Sequence, residues 1–182
     1  MTSLTQQVQN ELCQYLSEGA IAIDATAGNG HDTVFLAKQT GESGHVYAFD
    51  IQHRAIENTR IRLLEQQLEQ RVTLIEGSHE MLRMHIPASD RGLIAVIMFN
   101  LGYLPGSDKH CITRPASTLK ALNQALSLLG PDGALSVMLY PGHEGGLEET
   151  NAVLTWGSNL LSPWKIRHIV TNGPQWLLVT GT

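Results

Sequence analysis

The chain has 182 residues, is 42% hydrophobic and carries a formal net charge of −5, which suits one self-sufficient domain over residues 1–182 and argues against a broadly basic nucleic-acid coat. No apolar run reaches the roughly 18 residues of a membrane span, and no basic segment leads into an apolar one as in a signal peptide. Cys13 and Cys111 lack a C-x-x-C partner and the eight histidines fall singly, so reduced thiols in the cytoplasm and no metal site are expected.

The elements alternate. Leu4, Val8, Leu12 and Leu16 recur at helical spacing, placing an amphipathic helix over 4–16, within residues 1–17. Ala20–Ala25 reads as a short strand running into a glycine loop, 31–39 as a helix with Val34, Phe35 and Leu36 inward, and His45–Asp50 as a second strand ending on a carboxylate. A charged helix over 53–69 follows, its apolar side assigned to Ile56, Ile61, Leu64 and Leu68. Val72–Ile75 is a third strand, and a short helix is expected over 79–84 with Met81 inward. Leu93–Phe99, with no polar interruption, suits the middle of a parallel sheet covered on both faces.

Residues 115–128 read as a helix stopped by Gly130-Pro131-Asp132-Gly133, then come Ala134–Tyr140 as strand and 146–161 as helix. Lys165–Val170 and Trp176–Thr180 close the pattern as a hairpin turned by Asn172-Gly173-Pro174. Strands alternating with helices predict an α/β, Rossmann-like, mostly parallel seven-stranded sheet with an antiparallel last strand. That is the architecture of class I methyltransferases.

The stretch Asp24-Ala-Thr-Ala-Gly28-Asn29-Gly30-His31-Asp32-Thr33 joins a strand to a helix. Its glycines permit positive φ and close approach of a ligand, and the helix N-terminus offers free N–H groups. Asp50, twenty residues beyond Gly30, sits where a carboxylate accepts from ribose hydroxyls. Asp24 needs a partner at its strand end, which backbone amides or a cofactor ammonium would provide. NAD is disfavoured, because Thr33 replaces the third glycine and Asp32 would repel a pyrophosphate. S-adenosyl-L-methionine fits better. Ligands lie beyond the carboxyl ends of strands, which adds Ile51, Gln52, Ser78, His79 and Asn100; Ser78 could instead be only an N-cap.

The motifs D-A-T-A-G-N-G-H-D-T (24–33), Y-A-F-D-I-Q (47–52), G-S-H-E (77–80), F-N-L-G-Y-L-P-G-S-D-K (99–109) and Y-P-G-H-E-G-G (140–146) occur in order. Together they resemble a small bacterial family once labelled rRNA methylases and since assigned as tRNA 5-(aminomethyl)uridine N-methyltransferases. The family usually has glycine where Ser107 stands. The resemblance implies methylation of the aminomethyl group of 5-aminomethyl-(2-thio)uridine at the tRNA wobble position. An rRNA or small-molecule acceptor, or a non-catalytic cofactor-binding protein, is the alternative.

On that reading Asn100 occupies the place of the N-P-P-Y motif of amino-methylating enzymes. Its oxygen would accept from the amine, with Tyr103 stacking on the uracil ring or acting only as a lid. His143 is a candidate proton acceptor, and Glu144 would hold the substrate ammonium, orient His143, or merely cap the next helix. Lys109 and Arg114, with His110, and the 165–168 region (Lys165, Arg167, His168) are candidate phosphate contacts for an anticodon loop, or a solvated surface. A homodimer would pool two such patches.

Overall fold

A computed structural model describes residues 2–102 and 113–181. Seven strands form one sheet: β1 (Ile21–Asp24), β2 (His45–Asp50), β3 (Val72–Glu76), β4 (Ile94–Asn100), β5 (Leu129–Leu139), β6 (Lys165–Ile169) and β7 (Gln175–Thr180). Their order is β3-β2-β1-β4-β5-β7-β6. The pairs among β1 to β5 are parallel, and β7 runs antiparallel to both its neighbours. The expected architecture is the one observed. The uninterrupted apolar strand β4 lies at the centre, between β1 and β5.

Alternation along each strand builds two cores, one on each face of the sheet. Ile23, Phe49, Ile97 and Phe99 pack with Leu122 and Val153, which come from the helices α5 (Pro115–Leu128) and α6 (Gly146–Ser158). Ala22, Val46, Val96 and Met98 pack with residues of α1 (Leu4–Leu12), α2 (His31–Gln39) and α3 (His53–Glu65), and with Trp176. At roughly 1.5–3 kcal/mol for each fully buried large apolar side chain, these two layers are the principal source of stability.

Several boundaries differ from expectation. The opening helix stops at Leu12 and tightens into a 3₁₀ turn, Cys13–Tyr15. On α2 the buried positions are Asp32, Thr33, Leu36 and Ala37, while Val34 and Phe35 are half-buried. The helix α3 ends at Glu65, two residues before Gln67 takes a positive φ of 57°. Its inward face is Ala55, Ile56, Thr59 and Leu63; Ile61 and Leu64 are 55% and 54% exposed. A 3.6-residue period starting at Ile56 reaches 59 and 63 and leaves 61 and 64 outside. In the 3₁₀ turn His79–Met81 and the short helix α4 (Leu82–His85) that follows it, Leu82 takes the core position assigned to Met81. Leu93 is exposed.

The segment Gly130–Gly133 does not simply end α5. It bulges within β5, where Leu129 pairs with Ile94 and regular pairing resumes at Val96 with Ala134. Three extra residues in β5 between these two pairs bend the strand without ending it.

Candidate active site

The carboxyl ends of β1, β2, β3 and β4 open into a cavity of about 880 Å³, within the roughly 300–1,000 Å³ of small-molecule sites. One end is lined by Ala25–Asn29, Asp50–Gln52 and Gly77–His79. The other is lined by Asn100–Gly102, Thr113, Ser117 and Tyr140–His143. Thr5 and Gln9 of α1 and the hairpin turn at Gly173 and Pro174 complete the rim.

The glycine loop is held from two sides. Ala25 N–H donates to the Met98 carbonyl and Ala27 N–H to the Phe49 carbonyl, both at 2.8 Å. Asp50 accepts from Gly28 N–H at 3.0 Å and from Gln52 N–H at 2.9 Å. A carboxylate has about four lone-pair sites, so Asp50 retains capacity for ribose hydroxyls in the cavity. Burial is the first cause of its raised pKa, only partly offset by these amides. Asn29 lines the cavity while its side-chain oxygen accepts from Asn58. Gly30 does not line it. At φ 80° it caps α2 so closely that a Cβ would stand 2.9 Å from the Thr59 Cα; its role is packing of α2 against α3.

Ser78 lines the cavity and also serves as an N-cap, accepting from Glu80 N–H at 3.3 Å. His79 is 8% exposed and packs edge-on against Phe99. Burial pushes its pKa down, so the ring is neutral, and it is hydrogen-bonded to the Ala25 backbone. Among the described residues its Nε2 has no hydrogen-bond partner. A buried acceptor in a ligand cavity fits a nucleoside with N–H groups to donate.

Asp24 takes the backbone-amide alternative and not the cofactor one. It is fully buried, lies behind the loop and does not line the cavity. Its partners are Thr26 N–H at 3.2 Å and the Thr33 hydroxyl at 2.6 Å. Burial first, then the charge of Asp32, pushes its pKa up to about 7.

Asp32 lines the cavity but is already engaged, accepting from Gln9 Nε2 at 2.8 Å and Asn100 Nδ2 at 2.5 Å. Asn100 is anchored through its backbone N–H to the Thr26 hydroxyl at 2.7 Å. His143 lies in the cavity, its Nδ1 2.8 Å from the Glu144 carbonyl, and a Cβ on Gly102 would come within 3.2 Å of its Nε2. Glu144 itself is exposed and outside the lining. Nor does its side chain cap α6, whose N-cap is Gly145 at φ 75°.

Tyr103 and Lys109 lie outside the described residues. Arg114 is exposed at the N-cap of α5, between the lining residues Thr113 and Ser117. The 165–168 region is exposed. Arg167 is 2.8 Å from Glu11 and stacks over Trp176 at 5.2 Å, and His168 bonds Gln175. Lys165 pairs with Thr180 at the end of β6 away from the cavity.

Tyr140, Glu149 and the α1 residues escaped sequence reasoning. Tyr140 lines the cavity, and burial and the charge of Asp32 raise its pKa. Glu149 is 2% exposed and accepts from the Thr118 hydroxyl at 2.6 Å and the Thr113 hydroxyl at 2.5 Å. Thr113 exchanges two hydrogen bonds with the Gly102 backbone, so Glu149 clasps both segments flanking 103–112. Glu149→Ala is expected to lower stability by about 2–4 kcal/mol, read as a lower urea midpoint. Glu149→Gln, which keeps one acceptor, should lose less; an unchanged midpoint in both would refute the clasp. The signal was present, since 146, 149, 150, 153 and 157 make one helical stripe.

The strand order, the glycine loop and the carboxylate-ended β2 define the Rossmann-like fold and cavity of the S-adenosylmethionine-dependent class I methyltransferases. The chain belongs to the family described as "Putative rRNA methylase", whose model matches residues 46–172. It is 40% identical over 161 residues to the chloroplastic tRNA (mnm(5)s(2)U34)-methyltransferase of Arabidopsis thaliana, a match covering 83% of this chain and 58% of that protein. Its fold is similar to that of a "putative rRNA-methylase" from Clostridium thermocellum (TM-score 0.94, 34% identity, 100% of this chain and 99% of that one). It is also similar to a "putative methyltransferase" from Streptococcus mutans solved with SAH (S-adenosylhomocysteine; TM-score 0.87, 31% identity, 100% and 99%). No helix among the described residues is long and apolar enough to cross a membrane.

Proposed function

We propose that the protein methylates the aminomethyl nitrogen of 5-aminomethyl-(2-thio)uridine at the wobble position of tRNA, using S-adenosylmethionine. The observation that carries this reading is Asn100, which shares one cavity with Asp50 and the Gly28–Asn29 loop and opens its acceptor end. The relative in Arabidopsis supports the choice of acceptor. A homodimer working in the cytoplasm belongs to the same reading.

The bound cofactor would supply an electrophilic methyl carbon on a sulfonium sulfur. A lysine-like amine is mostly protonated at neutral pH and must first lose a proton. His143, which lines the cavity and donates through Nδ1–H to the Glu144 carbonyl, would take it. Asn100 then aims the neutral nitrogen. That nitrogen's lone pair forms the new N–C bond as the C–S bond breaks, the bonding pair stays on sulfur, and the methylated ammonium later sheds a proton to water.

A small-molecule acceptor is the second reading, favoured by Arg167, which Glu11 and Trp176 already engage. Incubation with labelled cofactor and total tRNA lacking the modification, followed by nucleoside analysis, separates the two. Label in 5-methylaminomethyl-(2-thio)uridine is expected. Label confined to rRNA, or none in RNA at all, overturns the tRNA reading.

A further inference from the structure

We propose that Asp32 and Gln9 are positioning residues that lock the Asn100 amide with its oxygen, not its NH₂, toward the methyl-transfer position. The inference rests on the methyltransferase reading above and assigns Asp32 a different task from direct cofactor binding.

A side-chain amide is nearly symmetric in shape but opposite in polarity at its two ends. Left alone, Asn100 could present either a donor or an acceptor to the cavity, and only the oxygen can receive an amine N–H. Asp32 removes that ambiguity. Its Oδ2 accepts from Asn100 Nδ2 at 2.5 Å. The flipped amide would set oxygen against carboxylate, two acceptors facing each other, at a side chain only 9% exposed and little screened by water.

The carboxylate is itself kept from turning. Gln9 Nε2 donates to Oδ1 at 2.8 Å, so both oxygens of Asp32 are committed. Thr26 holds the Asn100 backbone from the other side. With Nδ2 committed to Asp32, Asn100 Oδ1 accepts from no described residue and remains available to the cavity that Asn100 lines. The helix α1 thereby reaches the reaction through two hydrogen bonds in series. A donor-bearing acceptor nitrogen is selected, and a bare ring nitrogen is not.

The test needs no RNA. Sinefungin replaces the methylsulfonium of the cofactor with a carbon bearing an ammonium group, which puts N–H donors where the methyl would sit. By calorimetry the wild-type protein should prefer sinefungin over S-adenosylhomocysteine by about tenfold, the scale of one hydrogen bond to a charged group. Asp32→Asn should lose most of that preference and keep S-adenosylhomocysteine affinity within about threefold, because a neutral amide at 32 tolerates either rotation of Asn100.

Asn100→Ala, which keeps the Asp32 charge, should lose the preference too, excluding simple attraction by that charge. The swap Asp32→Asn/Asn100→Asp should restore it, since a carboxylate presents oxygen in either rotation. A purely structural Asp32 would weaken both ligands alike and would not be rescued. If Asp32→Asn does not fold, Gln9→Ala decides, with an expected two- to threefold loss of preference. No preference in the wild type, or full preference in Asp32→Asn or Gln9→Ala, overturns the proposal. A wild type that binds neither ligand overturns the methyltransferase reading instead.

Discussion

Asn100→Ala is expected to slow methyl transfer by roughly 10²–10³, the loss seen when a hydrogen bond made mainly in the transition state is removed. Cofactor affinity should change less than about threefold. The separation follows from the anchoring of position 100. Its backbone N–H is held by Thr26, and from Val96 to Asn100 β4 pairs residue by residue with β5, so alanine removes the amide without moving the strand. Single-turnover methylation at saturating cofactor, set beside calorimetry, gives the two numbers. Equal single-turnover rates in variant and wild type would reduce Asn100 to a wall of the cavity.

The second large effect concerns stability and runs opposite to ordinary acid unfolding. An unfolded Asp24 titrates near 3.8 and the folded one near about 7. Between these values the folded protein keeps a proton that the unfolded chain has lost. Stability from this group therefore falls as pH rises through the window, and the full penalty stands above about pH 7. The gap is worth roughly 4 kcal/mol. Asp24→Asn imitates the protonated form, with the oxygen still available to Thr26 N–H and the NH₂ facing the Thr33 hydroxyl. Urea midpoints of variant and wild type should nearly coincide at pH 4, and the variant should be the more stable at pH 8. Cofactor affinity should stay within about threefold, because Asp24 lies behind the cavity wall. A variant weaker at pH 8, or a gap independent of pH, contradicts this account.

What could be read from the chain divides along a physical line. The strands β2 and β4, the helix α5, the glycine loop and Asp50 were legible because periodicity, turn residues and a strand-end carboxylate are local signals. Gln9 and the turn at Gly173–Pro174 were not. They reach the cavity only because α1 packs on the sheet and β7 inserts beside β5, and long-range docking leaves no trace in spacing. Asp24 left two partners open for a related reason. A carboxylate at a strand end looks the same in sequence whether it faces a ligand or, as here, two threonine-derived donors behind the loop. The face of α3 failed more simply, through apolar residues that satisfy helical spacing loosely and remain in water.

The position of β7 has a further consequence for how the molecule assembles during synthesis. The strand β6 leaves the ribosome before β7, yet it joins the sheet only through β7. Until β7 exists, β6 has no place to go and β5 stays an open edge, the kind of unpaired surface that invites wrong partners. The helix α1, made before all seven strands, waits longest among these elements, because Val8 and Leu12 share their core with Trp176 and Glu11 pairs with Arg167. The nascent chain therefore acquires the rim of its ligand cavity among its last folding events, and a newly made molecule that captures ligand has already closed its sheet.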